Sequence, residues 1–178
     1  FGSSLVGPTR AALHRSIHRF SAGEALPKPL AMSNFLKVLV KGARNLKDSD
    51  GAFGGGTDAY VRLRVLDSDG NTVAGPKETS VIEEGGANPE WNEEFIFEDL
   101  ETPGAYSLKV TVLDKDSLCG IDALDVLAAD DKLGSATLDL GTLDNTEDMV
   151  DKEMIVDDGW FSDSTVDIAV STGGGWGN

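Results

Sequence analysis

The sequence is short of cysteine, of histidine and of positive charge, and each shortage removes a class of function. Cys119 is the sole cysteine among 178 residues, so no internal disulfide can form, which fits a reducing compartment. His14 and His18 are the only histidines. Their i, i+4 spacing would suit two ligands on one helix face, but no third ligand lies near, and with no histidine beyond residue 18 zinc is disfavoured. Lys and Arg number 15 against 31 Asp and Glu; residues 1–31 take four of the bases and one of the acids, so the remainder holds 11 against 30, a net −19. Such a body is no partner for nucleic acid, because phosphate binding needs clustered Lys and Arg. It should also repel an anionic membrane unless something reverses the field locally. No apolar run approaches the roughly eighteen residues of a spanning helix, so any membrane contact is expected to be peripheral.

Residues 1–31 differ in character from the rest. Thr9 to Phe20 is basic, contains serine and lacks acids, the composition of a transit peptide. The alternative is untranslated leader carried into a conceptual translation, since the sequence starts with Phe1 and Met32 stands just ahead of the first strand-like pattern. On either reading these residues are set apart from the fold and expected to be disordered. A domain is expected over residues 32–172, and the glycine-rich residues 173–178 read as a flexible tail.

From Leu36 onward the period is two. Candidate strands start at Leu36, run over Tyr60 to Val65, Lys77 to Ile82, Trp91 to Phe97, Leu108 to Asp116 and Leu133 to Leu140, and close with stretches near Lys152 to Val156 and Trp160 to Ser171. Eight short strands without a convincing long helix predict an all-β, eight-stranded antiparallel β-sandwich. Trp91, Phe95 and Phe97 fall in phase on one face, and aromatics of this size bury about 150–250 Å² each, so this strand is the heaviest contributor to the core. Two look-alike motifs fail. The run from Gly51 to Thr57 is glycine-rich but lacks the lysine of a phosphate-binding loop and leads into a strand. Asp67 to Glu78 carries acids at three EF-hand positions but has its glycine in the wrong place, so Asp67 to Asn71 reads as a hairpin turn.

The stretch from Leu108 to Asp116 organises the chain. Leu108, Val110 and Val112 share one face, and Asp114 and Asp116 continue that face where the strand leaves the sheet. Two carboxylates about 4 Å apart repel by roughly 1 kcal/mol in water and about 4 kcal/mol near a protein surface, so they either splay into solvent or share a cation. Asp58 stands at the start of another strand. The long connection from Ser117 to Lys132 contains Leu118, Ile121, Leu124, Val126 and Leu127, which suit a short helix or an apolar tip with a greasy partner. Asp114 and Asp116 as a paired-carboxylate active site find no histidine or nucleophile motif to support them, so no enzyme is expected.

The acids, in order, resemble a known family. Asn45-Leu46 to Asp50, Thr57-Asp58-Ala59-Tyr60-Val61, Lys77 to Thr79, Asn88-Pro89 to Phe95, Asp114-Lys115-Asp116 and Asp131-Lys132-Leu133-Gly134 look like the C2 domain, over nearly all of the chain beyond Met32. The resemblance implies a sandwich whose loops at one end hold calcium and dock on phospholipid, with the permuted type II topology in which the first strand already leads into the first acidic loop. The calcium aspartates it implies are Asp50, Asp58, Asp114, Asp116 and Asp131, with the backbone carbonyls of Gly51 and Lys115. Asp48 and Asp122 are the alternatives to Asp50 and Asp131, because the first and third loops are longer than is usual in the family. Ala59 stands where proline is usual, and the family's basic cluster for phosphoinositides is missing, with only Lys77 and Lys109 near acids. Hard oxygen donors in this number suit two Ca²⁺ ions, and Phe53, Leu118 and Ile121 would be the membrane contacts. The function implied is calcium-dependent phospholipid binding by a cytoplasmic, peripheral protein, organellar if residues 1–31 act as a transit peptide. Its alternative is a calcium-independent protein–protein adaptor.

Overall fold

A computed structural model describes residues 34–47, 56–101, 103–115, 130–143, 148–157 and 163–173, all within the unit Met32–Asn178. Residues 1–31 and 174–178, with the expectations attached to them, lie outside the described residues; Gly173, expected in the tail, instead pairs with Phe35 at the end of the last strand.

Among the described residues alternation builds eight strands: β1 Phe35–Arg44, β2 Ala59–Leu66, β3 Thr72–Glu78, β4 Glu90–Phe97, β5 Ser107–Asp114, β6 Asp131–Asp139, β7 Val150–Ile155 and β8 Thr165–Gly173. They form two four-stranded sheets, in the orders β4-β1-β8-β7 and β3-β2-β5-β6, with every pairing antiparallel. The all-β sandwich expected from the sequence is the fold. The last strand lies directly beside the first, and β1 runs straight towards the connection that precedes Asp58.

The inward faces are those the period-two pattern marks. Leu36, Val38 and Val40 of β1, Val61, Leu63 and Val65 of β2, and Leu108, Val110 and Val112 of β5 are all 0% exposed. Burying each such side chain fully is worth about 1.5–3 kcal/mol, so the two sheets are held chiefly by these facing rows. Trp91 and Phe97 join the same cluster, with Phe95 packed against it. The indole Nε1 of Trp91 is buried without a hydrogen-bond partner among the described residues.

The third strand is not where the sequence placed it. Lys77 to Ile82 is mostly the loop that follows; the strand is Thr72–Glu78, and Ile82 makes only an isolated bridge to Ala59. Gly75 and Pro76, joined by a cis peptide, disguise it, because both residue types are depleted in strands. Proline is tolerated here because β3 is an edge strand and need not donate on its outer side.

Asp67 closes the hairpin between β2 and β3. Its carboxylate accepts from the N–H of Asp69 at 3.0 Å, the N–H of Asn71 at 2.8 Å and the side-chain amide of Asn71 at 3.1 Å. These hydrogen bonds hold the Asp67 carboxyl below its ordinary pKa. The EF-hand look-alike is thus a turn, as its flanking strands require. Gly42 marks a bulge in β1, where the register shifts against both neighbours. A Cβ there would lie 2.8 Å from the Pro89 carbonyl oxygen, so only glycine lets the two backbones approach.

Candidate functional site

Three strand ends of the β3-β2-β5-β6 sheet meet at one edge. Ala59 at the start of β2 pairs with Asp114 at the end of β5, and Asp114 pairs with Asp131 at the start of β6. Directly opposed residues of an antiparallel pair share a face, so Asp114 and Asp131 belong to one face of the sheet. Asp114 continues the inward row of Val110 and Val112 and is itself only 2% exposed. Its burial follows from the strand phase that the sequence indicates.

The backbone fixes these acids. Oδ1 of Asp114 accepts from the N–H of Asp58 at 2.7 Å, and the Lys115 N–H donates to the Asp58 carbonyl at 3.0 Å. Oδ1 of Asp58 in turn accepts from the N–H of Glu84 at 2.7 Å. Glu84 has φ +52, a left-handed conformation uncommon for such a residue, and the Asp58 carboxylate anchors it. The loop after β3 is laced to β2 by further bonds, Ile82 N–H to the Ala59 carbonyl at 3.0 Å and Gly85 N–H to the Thr57 carbonyl at 3.0 Å. Two candidate ligands are therefore in direct contact and the segment beside them is held to the same strand.

Asp58, Asp114, Asp131 and Lys115 are brought to one end of the sandwich; Asp48, Asp50, Gly51, Asp116 and Asp122 lie outside the described residues, as do Phe53, Leu118 and Ile121. Among the described residues no three His, Cys, Asp or Glu side chains form a cluster able to hold a metal ion. The described donors are carboxylate oxygens with backbone groups around them, a hard set that fits calcium or magnesium and not a soft metal.

Sequence reasoning missed Asp130. The Tyr60 hydroxyl donates to its Oδ2 at 2.5 Å, and Lys115 Nζ lies 3.3 Å from its Oδ1. Burial, and then the bond to Asp130, push the Tyr60 phenol well above its ordinary pKa. The doubled acid Asp130-Asp131 at a strand start was the available signal: alternation sends one side chain to each face, so both cannot serve one site.

Lys77, one of the two lysines left where the family's basic cluster is missing, donates to the Ile96 carbonyl at 2.7 Å and lies over the Phe97 ring at 5.3 Å, so it joins the two sheets. Arg64 is the direct cross-strand partner of Lys109, a pairing that residues so distant in sequence do not announce. Arg62 donates to Glu78 at 2.5 Å, a bond that raises the pKa of its guanidinium.

Several known proteins share this architecture. A C2 domain of plant extended synaptotagmin 1 superposes with a TM-score of 0.61 at 22% identity, over 80% of this chain and 96% of that one. A C2 domain-containing protein superposes with a TM-score of 0.55 at 26% identity, over 81% of this chain and 91% of that one. In sequence, 16 kDa phloem protein 2 of Arabidopsis thaliana is 35% identical over 105 residues, which is 59% of this chain and 58% of that protein's length. The model of the C2 domain family matches residues 34–154. That match takes in more than half of the chain and contains both Asp58 and the β5–β6 strand ends, and the protein belongs to the C2 domain family.

Proposed function

We propose that the acidic end of this sandwich binds calcium and, through it, anionic phospholipid. The observation that carries the reading is the contact of Asp58 with Asp114, with Asp131 directly opposite Asp114 across β5 and β6. Carboxylates gathered at strand ends repel one another, and a divalent cation relieves that repulsion. Asp50, Asp58, Asp114, Asp116 and Asp131 would hold the ions with the carbonyls of Gly51 and Lys115, and such a set of oxygens suits two calcium ions. Bound calcium supplies positive charge that a lipid phosphate can help to coordinate. A body of net −19 beyond residue 31 has little attraction for an anionic surface of its own, so calcium would act as the switch for docking.

Phe53, Leu118 and Ile121 would enter the interface beside the headgroups, as apolar residues flanking a charged site do at membranes. No helix among the described residues is long and apolar enough to cross a membrane, and contact through loop tips needs none. The role is that of a binding module without catalysis.

Co-sedimentation with liposomes containing phosphatidylserine, with calcium and with chelator, tests the reading. Binding in calcium alone supports it. Equal binding in chelator, or none in either condition, would remove calcium-dependent lipid docking and favour the adaptor alternative.

A further inference from the structure

The start of β6 offers two adjacent acids, and only one of them is on the face of Asp114. Asp130 is turned the other way: Tyr60 donates to one of its oxygens and Lys115 ion-pairs with the other. Its side chain is 15% exposed. Lys115 and Asp130 are the last and first described residues around 116–129, and they extend the β5–β6 register that pairs Leu113 with Lys132. Tyr60 is itself held. Arg62 donates to its hydroxyl oxygen at 2.9 Å and lies over its ring at 5.6 Å, while the same guanidinium is tied to Glu78. A connected chain of side chains, Glu78–Arg62–Tyr60–Asp130–Lys115, thus spans the sheet from β3 to the start of β6.

The phase of β6 at this point needs such a fixture. The β5–β6 register shifts between Val112 and Leu113, so that Val112 faces Gly134 and Leu113 faces Lys132, with Leu133 as the extra residue. A slip of one residue moves every side chain to the opposite face. Here a slip would exchange Asp130 and Asp131, two residues of identical chemistry, so side-chain type alone does not choose between them.

We propose that Asp130 is a positioning residue for the calcium site, a role that presupposes the calcium reading above: clamped by Tyr60 and Lys115 on one face, it sets the strand phase that delivers Asp131 to the other, opposite Asp114. One acid of the pair fixes the strand and leaves its neighbour for the cation.

Calorimetric calcium titration of the full chain, alongside NMR of the calcium-free protein, tests this. Asp130→Ala and Tyr60→Phe should each weaken calcium affinity about 10- to 100-fold, the scale of loss when a partner behind a metal ligand is removed. The double variant should be no worse than the poorer single, because the two act as one unit. Asp130→Asn keeps an acceptor for the Tyr60 hydroxyl and should recover most of the affinity. In the calcium-free Asp130→Ala protein the cross-strand proton contact between Asp114 and Asp131 should be lost. If Asp130→Ala fails to fold, Tyr60→Phe, which removes one oxygen atom, decides alone. Wild-type calcium affinity in Tyr60→Phe, or a retained Asp114–Asp131 contact in Asp130→Ala, overturns the positioning role. A wild-type chain that binds no calcium overturns it together with the calcium reading, whereas binding by wild type with indifferent variants overturns the positioning role alone.

Discussion

The N–H of Asp58 donates to a carboxylate oxygen of Asp114 at 2.7 Å across the β2–β5 pair, which makes one candidate ligand a structural partner of another. Asp114 thus has two separable duties, one met by any acceptor at that place and one that needs negative charge.

Asp114→Asn keeps an acceptor for the Asp58 N–H and removes one charge from an acidic cluster, so the calcium-free protein should melt no lower than wild type. Asp114→Ala leaves a partly buried N–H unpaired and should cost about 1–3 kcal/mol. Millimolar calcium should raise the melting temperature of wild type, because a ligand bound only by the native state stabilises it, and should leave Asp114→Asn where it was. Thermal unfolding of the three proteins with and without calcium measures all of this. An unchanged wild-type melt would count against the ion site.

Trp91 is 8% exposed within the core cluster, yet its Nε1 has no hydrogen-bond partner among the described residues. Trp91→Ala should therefore cost roughly 3–5 kcal/mol, as loss of a large core aromatic does. Trp91→Phe should cost less than half as much, since it keeps most of the ring and removes the unsatisfied donor. Urea denaturation distinguishes them. Equal losses would mean that the indole nitrogen contributes to stability after all, through a bond to water.

The Tyr60 phenol has a raised pKa from burial and from its bond to Asp130. The neutral form is favoured in the native state, so the unfolded chain releases the proton first, near the ordinary value of 10.0. Above that pH the unfolded state binds fewer protons than the native one, and stability falls as pH rises further. Below it the contribution is fully present. Tyr60→Phe should lose part of this alkaline decline, read as a shallower slope of unfolding free energy against pH above the ordinary value of 10.0. An identical slope in both proteins would show that Tyr60 does not carry it.

Leu118→Ser with Ile121→Ser should weaken calcium-dependent liposome binding by roughly an order of magnitude, given about 25 cal/mol per Å² of apolar area withdrawn from water. Calcium affinity without lipid should stay unchanged, because neither residue is a ligand. Liposome binding at wild-type strength would leave ion-bridged headgroup contact as the whole attachment.

The sequence by itself determined the architecture and the location of the acids. Period-two alternation in Leu36-Val38-Val40, Val61-Leu63-Val65 and Leu108-Val110-Val112 is a local property, and it sorts residues into inner and outer faces before any contact is known. The order of the acids along the chain is local too, and with the family resemblance it named Asp58, Asp114 and Asp131 together. Where local chemistry misled, tertiary context had overridden it: Gly75-Pro76 reads as a break, and it is a strand only because an edge position asks no outward donation of proline. The partners of Asp130 could not be read in the same way. Its neighbours Tyr60 and Lys115 are 70 and 15 residues away, and which of two adjacent identical acids faces them depends on the register of β6 against β5. Register is a relation between strands and is carried by no single strand's sequence, so the partners that Asp130 meets were decided only when the sheet closed.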